Sequence, residues 1–290
     1  MSTAEAPAGN SEFVEFWNTV LVPKFVKYRH ILVDGLKDHS TRIFPALEVN
    51  EGDRVVDVGC GFGDTAIQLA QRVGPKGSVL GIDCCEGFLA YARADAEAQG
   101  VDNVTFVAGD ALGYGFEPVH DFCFSRFGTM FFENPVAGLK NMRSALKPGG
   151  LMTAIVWRTI DDNPWLGLPK EIVLRHLPSP GDDAQTCGPG PFSMADQEMV
   201  AQQLKIAGYT DIRFERVDAP LVVGHSLDDA VGFQIALGPA GEVYREAGEE
   251  AERKKEEIEA ALKAALKTYE TPEGIVLGSS SWVISARNPA

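Results

Sequence analysis

No stretch of about 18 consecutive apolar residues occurs in the chain, so a membrane span is not expected. Cationic side chains are scarce. Lys and Arg number 26 against 41 Asp and Glu, a formal net charge of −15, and no run of Lys or Arg offers a basic face. Phosphate neutralisation supplies most of the affinity of proteins for nucleic acid, so no nucleic-acid partner is expected and a small-molecule one is. Cysteine is sparse as well: Cys60, Cys84, Cys85, Cys123 and Cys187, an odd count with no CxxC pair. That argues against a disulfide framework and against a zinc site. Reduced thiols in a cytoplasmic protein are the simple reading. Cys84 and Cys85 read as small packing residues, with reactive thiols the rarer alternative. The start, "MSTAEAPAGNSEF", has neither a basic first segment nor an apolar one, and reads as a short flexible leader, not a secretory signal. GxSxG is missing, and so is a His/Asp/Glu cluster that would call for a metal.

What is present is a core-forming chain of 290 residues, 45% hydrophobic. Apolar, β-branched runs alternate with helical patterns through its first half. "RVVDVG" from Arg54, "SVLGID" from Ser78, "VTFVAGD" from Val104, "HDFCFSRF" from His120 and "LMTAIVW" from Leu151 read as strands. "DTAIQLAQRV", "EGFLAYARADAEAQG" and "NPVAGLKNMRSALKPGG" read as helices, each stopped by Gly or Pro. Such alternation implies parallel strands, right-handed crossovers and helices on both faces. Further on, "SMADQEMVAQQLKIAGY" reads as a helix with Ser193 as its N-cap, "TDIRFERV" as a sixth strand and "SSSWVISAR" as a seventh. Between those last two, Ile258, Leu262, Leu266 and Tyr269 recur at helical spacing in an amphipathic helix with a solvated charged face. The Pro/Gly-rich "LPSPGDDAQTCGPGPF" is a candidate mobile segment, lid or plain connector.

The stretch "VVDVGCGFGDTA" carries the functional signal. Gly59, Gly61 and Gly63 lie between a strand and a helix, where bare backbone lets a ligand come close. The spacing is GxGxG, and position 64 is Asp where a dinucleotide fingerprint wants Gly or Ala. Asp57 closes the first strand, Asp83 the second and Asp110 the third. A phosphate would avoid such company; a ligand with a positive group would seek it. An acid at the place of Asp83 typically grips ribose hydroxyls.

"VVDVGCGFGD", "GIDCCEGFL" and "VAGDA" resemble the first three motifs of the class I S-adenosylmethionine-dependent methyltransferases. "FGTMFFENPVAGLKNMRSALKPGGLMTAIVWR" is similar to the following region in their ubiquinone and menaquinone methyltransferase-like branch. The resemblance implies an α/β fold, a doubly wound, mostly parallel seven-stranded sheet of the Rossmann-like methyltransferase type. It implies one methyltransferase domain over 1–290: an N-terminal helical cap at 1–50, a cofactor-binding core at 51–158, and a C-terminal part at 159–290 whose helical insertion caps the active site. It also implies S-adenosylmethionine as cofactor and S-adenosylhomocysteine as product. Carried over by position, Gly59, Cys60, Gly61 and Gly63 pass under the methionine and ribose. Asp57 holds the methionine ammonium, directly or through water, and Asp83 takes the ribose hydroxyls with Cys84 beside it. Phe88 packs on the adenine where the family often has Met, Asp110 accepts from its amino group with Ala111 alongside, and Ser125 offers backbone at the methionine end.

The acceptor half is less defined. Methyl transfer needs mainly alignment of nucleophile, methyl and sulfur, and an oxygen nucleophile can also need a base. His30, Tyr28 and His176 are the candidates for that role, each with packing or surface placement as the alternative; Arg126, Met130 and Trp157 lie at the mouth by position. The expected function is methyl transfer from S-adenosylmethionine to an oxygen, carbon or sulfur nucleophile of a small molecule, by a monomer or homodimer. The alternatives are an NAD(P)-dependent oxidoreductase and a binding protein without turnover.

Overall fold

The computed structural model describes residues 12–181, 184 and 188–290. The leader at 1–11 and Cys187 lie outside them, as does part of the Pro/Gly-rich segment. The N-terminal segment is helical: α1 (Glu12–Phe16), a π-helical turn at Trp17–Leu21, α2 (Val22–Lys27) and α3 (Arg29–Thr41). Then the alternation begins, with β1 (Arg54–Val58), α4 (Asp64–Val73), β2 (Ser78–Asp83), α5 (Glu86–Ala98) and β3 (Val104–Ala108), followed by β4 (His120–Arg126), α6 (Pro135–Ser144) and β5 (Leu146–Trp157). The remainder is α7 (Pro164–Leu174), α8 (Gln197–Ile206), β6 (Thr210–Gly224), four helices α9 (Leu227–Ala236), α10 (Gly238–Glu246), α11 (Glu249–Arg253) and α12 (Lys255–Leu266), then β7 (Glu270–Thr271) and β8 (Gly274–Arg287).

The strands lie in the order β3-β2-β1-β4-β5-β8-β6. The first five are parallel, and β8 pairs antiparallel with both β5 and β6. This is the expected α/β sheet with one addition: β7, two residues long, pairs with the start of β8 and makes eight strands. Central strands are covered on both faces, so they read as unbroken apolar runs: Val55, Val56 and Val58 on β1, and Phe122, Cys123 and Phe124 on β4, are all buried. Strand order reverses at β1, between β2 and β4, and ligands bind at such a reversal.

Four boundaries differ from the sequence reading, each for a local reason. β5 starts at Leu146, inside the supposed helix stop, because Asn288 captures that backbone: its side chain donates to the Leu146 and Lys147 carbonyls. Ser193 is not an N-cap. Its hydroxyl donates to the Met130 carbonyl at 2.5 Å, and Asp196 caps α8 by accepting from the Met199 N–H. β6 and β8 run far beyond the short segments read as strands, since each supplies the other's hydrogen bonds from Gly224↔Ile275 to Thr210↔Arg287. Ser279, Ser280 and Ser281 can be buried there because their hydroxyls are engaged, by Ala219, Asp218 and His39. The amphipathic segment is broken at Lys254 into α11 and α12; Ile258, Leu262 and Leu266 are buried as expected, while Tyr269 sits in a 3-10 turn.

Candidate functional site

Past Val58 the chain bends through Gly59 (φ 69°), Gly61 (φ 53°) and Gly63 (φ 77°), a left-handed path that glycine takes without cost. The three are glycine for different reasons. A Cβ at Gly63 would stand 2.6 Å from Ala92 Cβ and 2.9 Å from the Phe106 ring, so Gly63 lets α4 close on α5 and β3. A Cβ at Gly59 would meet the Gly128 Cα at 3.0 Å. At Gly61 nothing lies within 4 Å, and its bare face opens onto the cavity described below. Gly63 does not line that cavity; the constraint visible at it is packing against Ala92 and Phe106.

Two of the strand-end acids are tied to this bend. Asp83 accepts from the Gly61 N–H through Oδ2 and from the Cys85 N–H through Oδ1, both at 2.9 Å. Burial pushes its carboxyl above the usual range, and those two N–H donors pull it back part of the way. Asp57 is wholly buried, and its Oδ2 accepts from the Thr65 hydroxyl at 2.7 Å. Its Oδ1 is a buried oxygen with no partner, as are Ser125 Oγ and Thr129 Oγ1. Burial raises the Asp57 carboxyl to about 7, against the opposing pull of Thr65 and Arg126. Asp110 lies past the end of β3, exposed, and accepts from the Leu112 N–H.

A cavity of about 300 Å³ opens over this rim. Gly59, Cys60, Gly61, Asp83, Cys84, Phe88, Asp110 and Ala111 line it; Asp57 and Ser125 lie buried beneath it and do not. The opposite walls are apolar and largely aromatic: Phe13, Phe16, Trp17 and Phe25 from the N-terminal helices, Phe127 and Phe131 after β4, Trp157 from β5, Trp165 from α7 and Phe233 from α9. Phe127 holds a φ of 58°, a strained value for a non-glycine residue, and its ring stacks on Trp157 at 3.8 Å. Behind both rings sits His39, fully buried. The Ser279 hydroxyl donates to the Ala219 carbonyl, so its oxygen accepts from His39 Nε2–H at 2.7 Å, and Ser281 donates to the bare Nδ1 at 2.8 Å. Burial, with the charges of Arg126 and Arg42, lowers this imidazole to about 4, so it is neutral and supports the wall.

The guanidinium groups within the aromatic part are engaged. Arg126 forms a two-pronged pair with Asp64, at 2.9 and 2.7 Å, and donates to Ser40 Oγ. Arg245 lies over the Phe16 ring and pairs with Glu246. Among the described residues, the carboxylates of Glu133 and Glu242 also line this part of the cavity. No local pattern marks Glu242 or Arg245, which reach the cavity from α10, far along the chain.

The three base candidates lie elsewhere. His30 Nε2 is 3.2 Å from Asp229, its ring stacks on His225, and it is half exposed on the outer surface. Tyr28 packs edge-on against Phe233 and is buried without reaching the cavity. His176 pairs with Glu257 at 3.2 Å, where α7 meets α12. None of the three lines the cavity: Tyr28, just before α3, and His30 on α3 meet residues of α9, and His176, just past α7, meets Glu257 of α12. One grouping was not expected. Among the described residues, Asp83, Cys84 and Cys85 bring one carboxylate oxygen and two sulfurs within 4.8 Å of one another.

Residues 55–150 match the methyltransferase domain family. Over 115 residues the chain is 32% identical to demethylmenaquinone methyltransferase of Staphylococcus carnosus (strain TM300), covering 39% of this chain and 47% of that protein. Over 110 residues it is 34% identical to the same enzyme of Geobacillus kaustophilus (strain HTA426), covering 38% and 47%. The chain thus spans about half the length of the curated relatives it matches. Phosphoethanolamine N-methyltransferase 2 of Haemonchus contortus, solved with S-adenosyl-L-methionine, superposes with a TM-score of 0.59 at 19% identity, over 98% of this chain and 62% of that one. The YcgJ protein of Bacillus subtilis gives 0.56 at 14% identity, over 86% and 97%. At such identities the likeness speaks for the fold. With the glycine bend and the strand order, the match over 55–150 identifies that segment as a methyltransferase domain.

Proposed function

We propose that the chain binds S-adenosylmethionine across the rim of β1, β2 and β3 and passes its methyl group to an uncharged, largely apolar small molecule in the aromatic part of the same cavity. The observation that carries this reading is the joining of two unlike surfaces in one space: an acid-lined glycine bend and a wall of aromatic rings. The bend fits the cofactor. Gly61 offers open backbone, and the unpartnered Asp57 Oδ1 is a buried acceptor suited to an ammonium group. Asp83, held by two N–H groups, is aimed for ribose hydroxyls, and Phe88, Asp110 and Ala111 would take the adenine. The sulfonium supplies the activated methyl group.

What this chain adds is alignment and exclusion of water. Among the described residues the two guanidinium groups of the aromatic wall are engaged, Arg126 by Asp64 and Arg245 by Glu246, which favours an acceptor without a phosphate or carboxylate. The relatives named for demethylmenaquinone accord with a ring-bearing apolar one. No imidazole lines the cavity among the described residues, so a proton leaving an oxygen nucleophile would go to Glu242 or Glu133 or to solvent. Incubation with radiolabelled methyl donor and a panel of phenols, quinols and thiols tests the reading, with phosphorylated amines as controls. Label in the apolar acceptors is the expected result. Calorimetric binding of NAD in preference to S-adenosylmethionine would overturn it, and cofactor binding without label in any acceptor would make the chain a binding protein.

A further inference from the structure

We propose that Asp83, Cys84 and Cys85 form a site for one thiophilic divalent cation of the zinc class, and that a cation seated there excludes the nucleoside. The two sulfurs stand 3.7 Å apart. Two thiolates on one tetrahedral zinc-sized ion, with bonds of about 2.3 Å, stand about 3.8 Å apart. The spacing therefore needs almost no adjustment. The Asp83 carboxylate completes a sulfur, sulfur, oxygen donor set, with every ligand atom within 4.8 Å of the others.

The pair is held in place from three sides. Asn18 Nδ2 donates to the Cys84 carbonyl at 3.0 Å, the Cys85 N–H donates to Asp83, and the Cys85 carbonyl accepts from the Phe88 N–H as α5 begins. A site fixed by its own backbone loses little freedom on binding. It is also reachable. Both cysteines line the main cavity, and Cys84 also faces a smaller recess beside Asn18 and Glu86. Entry of the ion replaces two S–H bonds with two metal–sulfur bonds and releases two protons to solvent, with no change of oxidation state. A water would fill a fourth position. Exclusion of the nucleoside, unlike the binding itself, rests on the role proposed above for Asp83.

The test uses the metal-free full chain, kept reduced with a phosphine, and Cd2+ as the probe. The expected result is a thiolate-to-cadmium ultraviolet absorption that saturates at one equivalent, is displaced by Zn2+, and is lost in Cys84→Ser. Cys84 is half-buried, so this variant is expected to melt with the parent; Cys85→Ser, at a buried position, should weaken binding by roughly tenfold or more. Absence of the band from the parent, or its persistence unchanged in a folded Cys84→Ser, would overturn the site. S-adenosylmethionine is then titrated with and without one equivalent of Zn2+. Roughly tenfold weaker binding with the ion in the parent, and none of that weakening in Cys84→Ser, is expected; unchanged binding by the zinc-loaded parent would overturn exclusion. Failure of the metal-free parent to bind S-adenosylmethionine would sink the proposed function and leave the cadmium band to be judged on its own.

Discussion

The two halves of the cavity are built on opposite plans. The rim half is backbone and carboxylate: a glycine bend, Asp83 clamped by two N–H groups, and Asp57 buried with one oxygen free. The wall half is rings, with its guanidinium groups already paired or laid over an aromatic face. The rim half comes from about fifty consecutive residues, so its parts keep fixed spacing and can be read from the sequence. The wall half is gathered from distant segments, near positions 13–36, 126–133, 157–166, 191 and 233–245. Its members share no local pattern, and only Arg126, Met130 and Trp157 could be placed at the mouth from their positions in the sequence.

Substitutions should separate the two plans. Gly61→Val is expected to have the largest effect on binding. It puts a branched side chain at a φ of 53° and into the open cavity, and should weaken S-adenosylmethionine by roughly a hundredfold or more in calorimetry, about 3 kcal/mol. Its neighbour should behave otherwise. Gly63→Ala drives a methyl into Ala92 and Phe106 and should lower stability by about 1–3 kcal/mol in denaturant melts. On the wall side, Asp64→Ala leaves a buried guanidinium unpaired and should cost about 3 kcal/mol of stability, by the same melts. Asp83→Ala removes an acceptor that two N–H groups share, and should cost about 1–3 kcal/mol of cofactor binding.

Acidity gives a subtler contrast. Asp57 titrates in the folded chain at about 7, above its ordinary 3.8, so the folded state holds the extra proton between those values. Its contribution to stability is complete below about pH 4 and is lost as pH rises through about 7. A cationic ligand favours the ionised form, so S-adenosylmethionine should bind more tightly as pH climbs through that range and should release a proton, seen by calorimetry in buffers of different ionisation heats; Asp57→Asn should flatten the dependence. His39, lowered from 6.5 to about 4, has the opposite sign: its contribution is present above pH 6.5 and fades as pH falls toward 4. The smallest expected effect is that of His30→Ala, which removes a half-exposed pair with Asp229 and should leave turnover and affinity nearly unchanged.

The reach of sequence reasoning follows the same division. Hydrophobic runs, glycine and aspartate fixed the strands β1 to β4 to within a residue or two, and they located the acids at the rim. Reading failed where distant backbone decides. Ser193 was taken by Met130 before it could cap a helix, and β6 and β8 grew to the length their pairing allowed. The histidines misled for a related reason: His30 and His176 meet Asp229 and Glu257, distant partners that periodicity does not reveal. Gly63 looked equivalent to Gly61 in the motif, and only the neighbours Ala92 and Phe106 distinguish them.

The most direct measurement is a crystal structure of the chain with S-adenosylhomocysteine bound. The account requires the Asp83 carboxylate within hydrogen-bond distance of both ribose hydroxyls, with Gly61 against the sugar and the amino-acid end toward Asp57. A nucleoside bound elsewhere, or one bound at this rim with Asp83 turned away from it, would contradict the account.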